Sequence, residues 1–199
     1  MDIARKRAGR VAAALRRART GSAMRRLARE LNSALRARPT PPAGVHEVCR
    51  ALCEEVTLRR GGRPIELRFE RFPDEIEVTG LWVEFQDFDL VIVEERAEAV
   101  QQLVILGHEL WHLHAGHRHH HGIGTAAAHA FAGRPGWDDV ALTVAARDGS
   151  RATDEAEADD FGHRLAAAFH PYLSGRGDRM SLNPLERSMG YRGRRGTER

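Results

Sequence analysis

The chain has 199 residues, 42% of them apolar and 30% charged, which is typical of one globular domain with an appendage and excludes a wholly disordered protein. No apolar run approaches the ~20 residues that a membrane-spanning helix needs. The apolar run near the N-terminus, Val11 to Leu15, is too short for a signal peptide, and two cysteines are too few for a disulfide framework. We therefore expect a cytoplasmic protein with no membrane partner.

The first predicted element is a strongly basic helix. Residues 1–40 carry twelve basic and two acidic side chains, so the rest of the chain is acidic although the net charge is +3. Apolar residues recur at helical spacing from Met24 to Leu35, which predicts a helix over residues 2–37, interrupted at Thr20-Gly21-Ser22. We interpret residues 1–40 as a basic helical arm that either binds nucleic acid or is a solvated helix packed on the body by its leucines.

A second helix is predicted over Val45–Thr57, after a Pro- and Gly-rich break. Cys49 and Cys53 lie four residues apart on this helix. Such a pair can bind a metal or undergo redox chemistry, but the chain has no further cysteine to complete a site. We interpret both as small buried thiols.

Three strands are predicted next. Ile65–Phe69 alternates apolar and charged residues, whereas Leu81–Phe85 and Phe88–Val93 are apolar and rich in β-branched residues. The two residues between the last two runs, Gln86 and Asp87, fit the turn of a hairpin. These patterns predict a small three-stranded sheet.

Two further helices complete the predicted domain. The first spans Ala97–Ala115 and ends at Gly116, and the second spans Thr153–Phe169 and is ended by Pro171. Residues 117–152 are predicted to be irregular or only briefly helical, and residues 174–199 to be a basic flexible tail. The domain itself is expected over residues 41–173.

The first of these helices carries an H-E-x-x-H motif, His108-Glu109-Leu110-Trp111-His112. One helical turn separates the histidines, so both imidazoles can bind one Zn²⁺, while Glu109 lies beside them as a base that accepts a proton from water. The leucines of the helix lie opposite the histidines, which predicts a buried back and a front open to a cleft. We therefore prefer a metal site to an ordinary surface helix.

Residue spacing alone does not identify the third metal ligand. A third histidine in the extended H-E-x-x-H pattern requires Gly at 115 and His at 118, but the chain has Ala115 and Arg118. In the final helix, Glu157 lies at the border of the stripe predicted to be buried, Glu155 lies beyond the other side, and Asp159 and Asp160 point away. Glu157 is the preferred ligand, and a solvated glutamate in a capping-box-like Asp154-x-x-Glu157 pattern is the alternative.

The chain resembles the ImmA/IrrE family of metallopeptidases, in particular its actinobacterial, toxin–antitoxin-associated members. The resemblance rests on the motif after a β-hairpin, the later Glu-Ala-x-x-Phe helix, Gly80-Leu81-Trp82-Val83 and Gly116-His117. The resemblance covers about residues 24–170. It implies a zincin-like fold with two zinc-bearing helices, and cleavage or regulation of a helix-turn-helix repressor encoded nearby.

Carried onto this chain, the resemblance assigns His108, His112 and Glu157 as Zn²⁺ ligands and Glu109 as the catalytic base. Trp111 stands where the family usually has a small residue. The alternative function is a non-catalytic zinc-containing regulator or toxin–antitoxin component that binds nucleic acid or a partner through residues 1–40. The histidines at 117 and 119–121 are interpreted as a solvated loop, with metal buffering as the alternative.

Overall fold

The computed structural model of the chain describes residues 2–72, 74, 78–117 and 152–173. The expectations for residues 118–151 and 174–199 lie outside the described residues, as do those for the histidines at 119–121. The elements in chain order are α1 (Asp2–Arg36), α2 (Val45–Arg59), β1 (Ile65–Glu70), β2 (Gly80–Glu84), β3 (Asp89–Glu94), α3 (Ala99–Ala115) and α4 (Ala152–Leu173). The predicted α+β class is confirmed, with four helices and a three-stranded sheet in the described part of the chain.

The sheet has the order β1-β3-β2. The predicted hairpin is confirmed, since β2 and β3 pair antiparallel and the Phe85 N–H donates to the Phe88 carbonyl at 2.9 Å across a two-residue turn. β1 pairs with β3 in parallel, with Ile65 opposite Asp89. The central position of β3 explains why all six of its residues are buried.

A buried carboxylate fixes the start of β3 to the end of α2. Asp89 is fully buried and accepts hydrogen bonds from Arg60, from Arg63 Nε at 2.9 Å and from Trp82 Nε1 at 3.0 Å. Burial alone favours the neutral acid, but these donors outweigh it and hold the pKa of Asp89 below its usual value. These contacts therefore tie the start of β3 to β2 and to the segment that follows α2.

The first helix differs from its prediction in being continuous. α1 runs through Gly21 without a break, because glycine costs a helix only ~1 kcal/mol relative to alanine and the second half of α1 is held by packing. Met24, Leu27, Leu31 and Leu35 are buried in the main core. Val11 and Leu15, in the first half, are exposed.

The second helix is slightly longer than predicted and buries its thiols as expected. α2 continues to Arg59, two residues past the predicted end. Cys49 and Cys53 are free and buried, and burial raises the pKa of Cys49 to about 12. Neither thiol is therefore a reactive nucleophile near neutral pH.

The last helix continues beyond its predicted end. Pro171 lies inside α4, which ends at Leu173. A proline in the last turn removes only one helical hydrogen bond, and tertiary contacts hold this turn. The ring of Tyr172 packs on Phe169, and its hydroxyl donates to Asn32 Oδ1 on α1 at 3.3 Å.

The third helix lies at the centre of the molecule and packs against α4, the sheet and α2. Most of its residues from Gln102 to Leu113 are buried. It is therefore buried on more than its leucine face, unlike the two-faced helix that its sequence predicts. In the described part of the chain, no helix is both long enough and apolar enough to cross a membrane.

Candidate metal centre

The two histidines of the motif lie in the last two turns of α3. His112 is 1% exposed and His108 12% exposed at the side chain. Their Nε2 atoms are 3.0 Å apart, and the two rings are tilted by 60°. Helical spacing alone brings both nitrogens to one point, as the sequence predicts.

A close helix crossing brings α4 to this point. Gly107, beside the first histidine, meets Gly162 on α4: a Cβ at Gly107 would lie 2.8 Å from the Gly162 Cα. A Cβ at Gly162 would lie 2.5 Å from the Val104 carbonyl oxygen. Neither contact tolerates a side chain, so the glycine pair lets the helix backbones approach closely. Glu155 lies two turns before Gly162 and is carried to the histidines.

Glu155 completes a compact group of ligand atoms. Its Oε2 lies 3.3 Å from His108 Nε2, and its Oε1 lies 3.5 Å from His112 Nε2. A tetrahedral metal with bonds of about 2.1 Å has ligand atoms about 3.4 Å apart. The three residues therefore fit a divalent ion in both chemistry and spacing, and one ligand atom from each lies within 4.8 Å of the others.

Glu157, the glutamate preferred from the sequence, faces elsewhere. It lines a cleft of about 1060 Å³ between α1 and α4, together with Arg16 and Arg25 of α1. The structure thus places Glu155, and not Glu157, beside the two histidines.

The sequence favours Glu157 because the predicted buried stripe of α4 leaves out the small residues that pack in its interface. The predicted stripe omits Gly162 and Ala166, although both are buried and Gly162 meets the backbone of α3. With these small residues included, Glu155 lies about 50° from the middle of the buried face and Glu157 about 110°. Small residues mark a close helix crossing, so Gly162 is the sequence signal that identifies the correct side.

Both histidines have a partner on their second ring nitrogen. His108 Nδ1 lies 2.8 Å from Asp159 Oδ1, although the sequence predicts that Asp159 points away. His112 Nδ1 lies 3.1 Å from His117 Nδ1. Outer partners of this kind fix the orientation of metal-binding imidazoles. Residue spacing does not predict them, because they depend on tertiary contacts.

The central glutamate of the motif is buried on the sheet side of α3. Glu109 is 2% exposed, and a Cβ at Gly80, the first residue of β2, would lie 2.7 Å from Glu109 Oε1. A glycine at this position of the strand therefore makes room for the carboxylate. β2 is an edge strand of the described sheet.

Trp111 is part of the core. It is 3% exposed, and its ring packs on Phe161 at 5.1 Å and on His114 at 5.6 Å between ring centres. Burial also lowers the pKa of His114. The bulky residue before the second histidine is thus accommodated by the α3–α4 interface.

Comparisons with protein-family models, with curated proteins and with solved structures find no match. A function for this chain is therefore inferred from the geometry of the group formed by His108, His112 and Glu155.

Proposed function

We propose that this chain is a zinc-dependent peptidase with a zincin-like arrangement of α3, α4 and the sheet. The observation that carries the proposal is the convergence of His108, His112 and Glu155, with ligand-atom separations of 3.0, 3.3 and 3.5 Å. Two histidines and one carboxylate are a ligand set of catalytic zinc sites, whereas structural sites usually have four protein ligands. In the described part of the chain the group has three members.

The proposed roles follow from the position of each side chain. His108, His112 and Glu155 would hold Zn²⁺, which when bound polarises a carbonyl and lowers the pKa of water. Glu109 would accept the proton of the attacking water and return it to the leaving amine. His108 and Glu155 are more open to solvent than His112, so substrate would approach from their side.

The position of Glu109 also favours a peptide as the substrate class. Its carboxylate lies against the first residue of β2, an edge strand of the described sheet. An extended peptide could add to such an edge and would then pair with the strand that contacts the base. A helix-turn-helix repressor encoded nearby is the first substrate to test, because the family resemblance implies it.

The test is zinc content and cleavage on protein purified without a histidine tag. We expect about one tightly bound zinc per chain, which is retained when the histidines at 119–121 are replaced by alanine. Zinc-loaded protein should cleave the neighbouring repressor or members of a peptide library, and Glu109→Gln should not. Tight zinc without any cleavage would favour a regulator, and zinc held only by the three replaced histidines would refute the site.

A second candidate function rests on the first half of α1. Arg16, Arg17 and Arg19 are exposed. Clustered arginines of this kind neutralise phosphates, so the alternative is a zinc-containing regulator that contacts nucleic acid through residues 1–40. Salt-dependent DNA binding without peptidase activity would favour this function.

A further inference from the structure

His117, two residues after the end of α3, lies at the candidate metal centre. Gly116 adopts the left-handed conformation, with φ of 69°, and turns the chain back on itself. The His117 N–H donates to the His112 carbonyl at 3.0 Å. The His117 ring meets the His112 ring edge-on, with centroids 5.2 Å apart and Nδ1 atoms 3.1 Å apart.

The short Nδ1–Nδ1 distance restricts the protonation of both rings. Two imidazole nitrogens at this distance form a hydrogen bond only when one donates and the other accepts. His112 Nε2 belongs to the ligand group and needs its lone pair to bind a metal. The neutral His112 ring therefore carries its proton on Nδ1, and His117 Nδ1 must accept it, which leaves the His117 proton on Nε2.

We propose that His117 is a positioning residue for the metal centre: it holds His112 in the tautomer and ring rotation that bind the metal. The inference rests on the proposed zinc site and assigns His117 a role outside the ligand set. Its analogue on the other ligand is Asp159, which contacts His108 Nδ1.

Burial increases the importance of this partner. The His112 side chain is 1% exposed, so water cannot readily replace the acceptor. A buried N–H that loses its acceptor is destabilising, because it has given up its hydrogen bond to water and gains none in return. By contrast, Asp159 is 66% exposed at the side chain, so solvent can substitute for it more easily beside His108. We therefore expect His112 to depend on His117 more than His108 depends on Asp159.

The test compares three variants of the full chain without a histidine tag. His117→Ala removes the acceptor, His117→Asn restores one close to the position of Nδ1, and His114→Ala is the control. His114 lies in the last turn of α3, three residues before His117, but its ring packs on Trp111. Zinc affinity is measured by competition with a chelator, and thermal unfolding of the metal-free proteins reports on the fold.

We expect His117→Ala to lower zinc affinity about 10–100-fold, as loss of an outer partner does at other metal sites. His117→Asn should recover most of the affinity, and His114→Ala should leave it unchanged. A loss caused only by unfolding would appear in the metal-free melting curve and would not be restored by asparagine. Equal affinity in His117→Ala and the parent would overturn the inference.

The tautomers themselves can be read by ¹⁵N NMR of the imidazole nitrogens in the zinc-loaded parent. We expect a proton on His112 Nδ1 and on His117 Nε2. A proton on His117 Nδ1, or a zinc-bound His117, would also overturn the inference while leaving the metal site intact. If the parent binds no zinc at all, both the proposed function and the role of His117 fail. If the parent binds zinc but the tautomers or affinities differ from these expectations, only the role of His117 fails.

Discussion

The Oε2 atom of Glu155 lies 3.3 Å from His108 Nε2, whereas Glu157 lines the cleft between α1 and α4. The two glutamates have the same chemistry and lie two residues apart on one helix. They are therefore a matched pair for testing which side of α4 faces the metal.

We predict that Glu155→Gln loses zinc and Glu157→Gln keeps it. The first change removes an anionic ligand, so its loss should exceed the about 10–100-fold effect of removing an outer hydrogen-bond partner. Metal content after mild chelation and chelator competition measure the effect. Retention of zinc by Glu155→Gln together with its loss in Glu157→Gln would place the other face of α4 at the site.

Glu109→Gln should separate metal binding from chemistry. The amide keeps the shape of the buried carboxylate beside Gly80 but cannot accept the proton of water, so zinc should stay and cleavage should fall about 10²–10⁴-fold. Cleavage is followed by mass spectrometry on zinc-loaded protein of matched metal content. A variant that cleaves as fast as the parent would refute proteolysis by this site.

The glycine crossing should control both stability and metal affinity. Gly162→Ala places a Cβ against the Val104 carbonyl, 2.5 Å from its oxygen, and should force α3 and α4 apart at a cost of about 1–3 kcal/mol. Zinc affinity should fall as well, because Glu155 moves with α4. Thermal unfolding and chelator competition measure the two effects.

Gly21→Ala in α1 is the control for that change. A Cβ there would meet only the Arg25 side chain at 3.5 Å, so helix propensity should stabilise the protein by up to ~1 kcal/mol. If Gly162→Ala were as stable as Gly21→Ala, the helices would not cross as closely as the structure indicates.

Glu94 should make stability depend on acid pH. The Arg96 side chain and the Arg96 and Phe72 backbone N–H groups donate to it and lower its pKa to about 2 from 4.5. Its stabilising contribution is therefore complete above pH 4.5 and is lost as the pH falls towards 2.

Glu94→Gln should accordingly be less stable than the parent at pH 7, and the difference should shrink between pH 4.5 and 2. Urea unfolding across this range measures the effect, with Glu66→Gln, an exposed residue of β1, as the control. A constant difference at every pH would show that the carboxylate charge is not what stabilises this contact.

Deletion of residues 1–23 tests the nucleic-acid hypothesis for the arm. It removes seven of the twelve basic side chains of residues 1–40 and leaves the buried residues from Met24 onward. Non-specific DNA affinity should fall, and its dependence on salt concentration should flatten. Unchanged affinity and slope would end this hypothesis for the segment.

The features that can be predicted from the sequence are local. One helical turn separates His108 from His112, so their convergence follows from the geometry of a single helix. The hairpin between β2 and β3 needs only a short turn between two apolar runs, and the end of α3 needs only Gly116.

The positions of Glu155 and of the outer partners relative to the two histidines depend on tertiary packing. Glu155 and Glu157 both border buried surface of α4, because α3 and α1 pack on different sides of that helix. The periodicity of one helix cannot say which neighbour lies on which side. The contact between Gly107 and Gly162 determines which side of α4 faces α3. The close approach of the two backbones brings Glu155 and Asp159 to His108. The same reason applies to the parallel pairing of β1 with β3, which depends on where distant segments meet rather than on either strand alone.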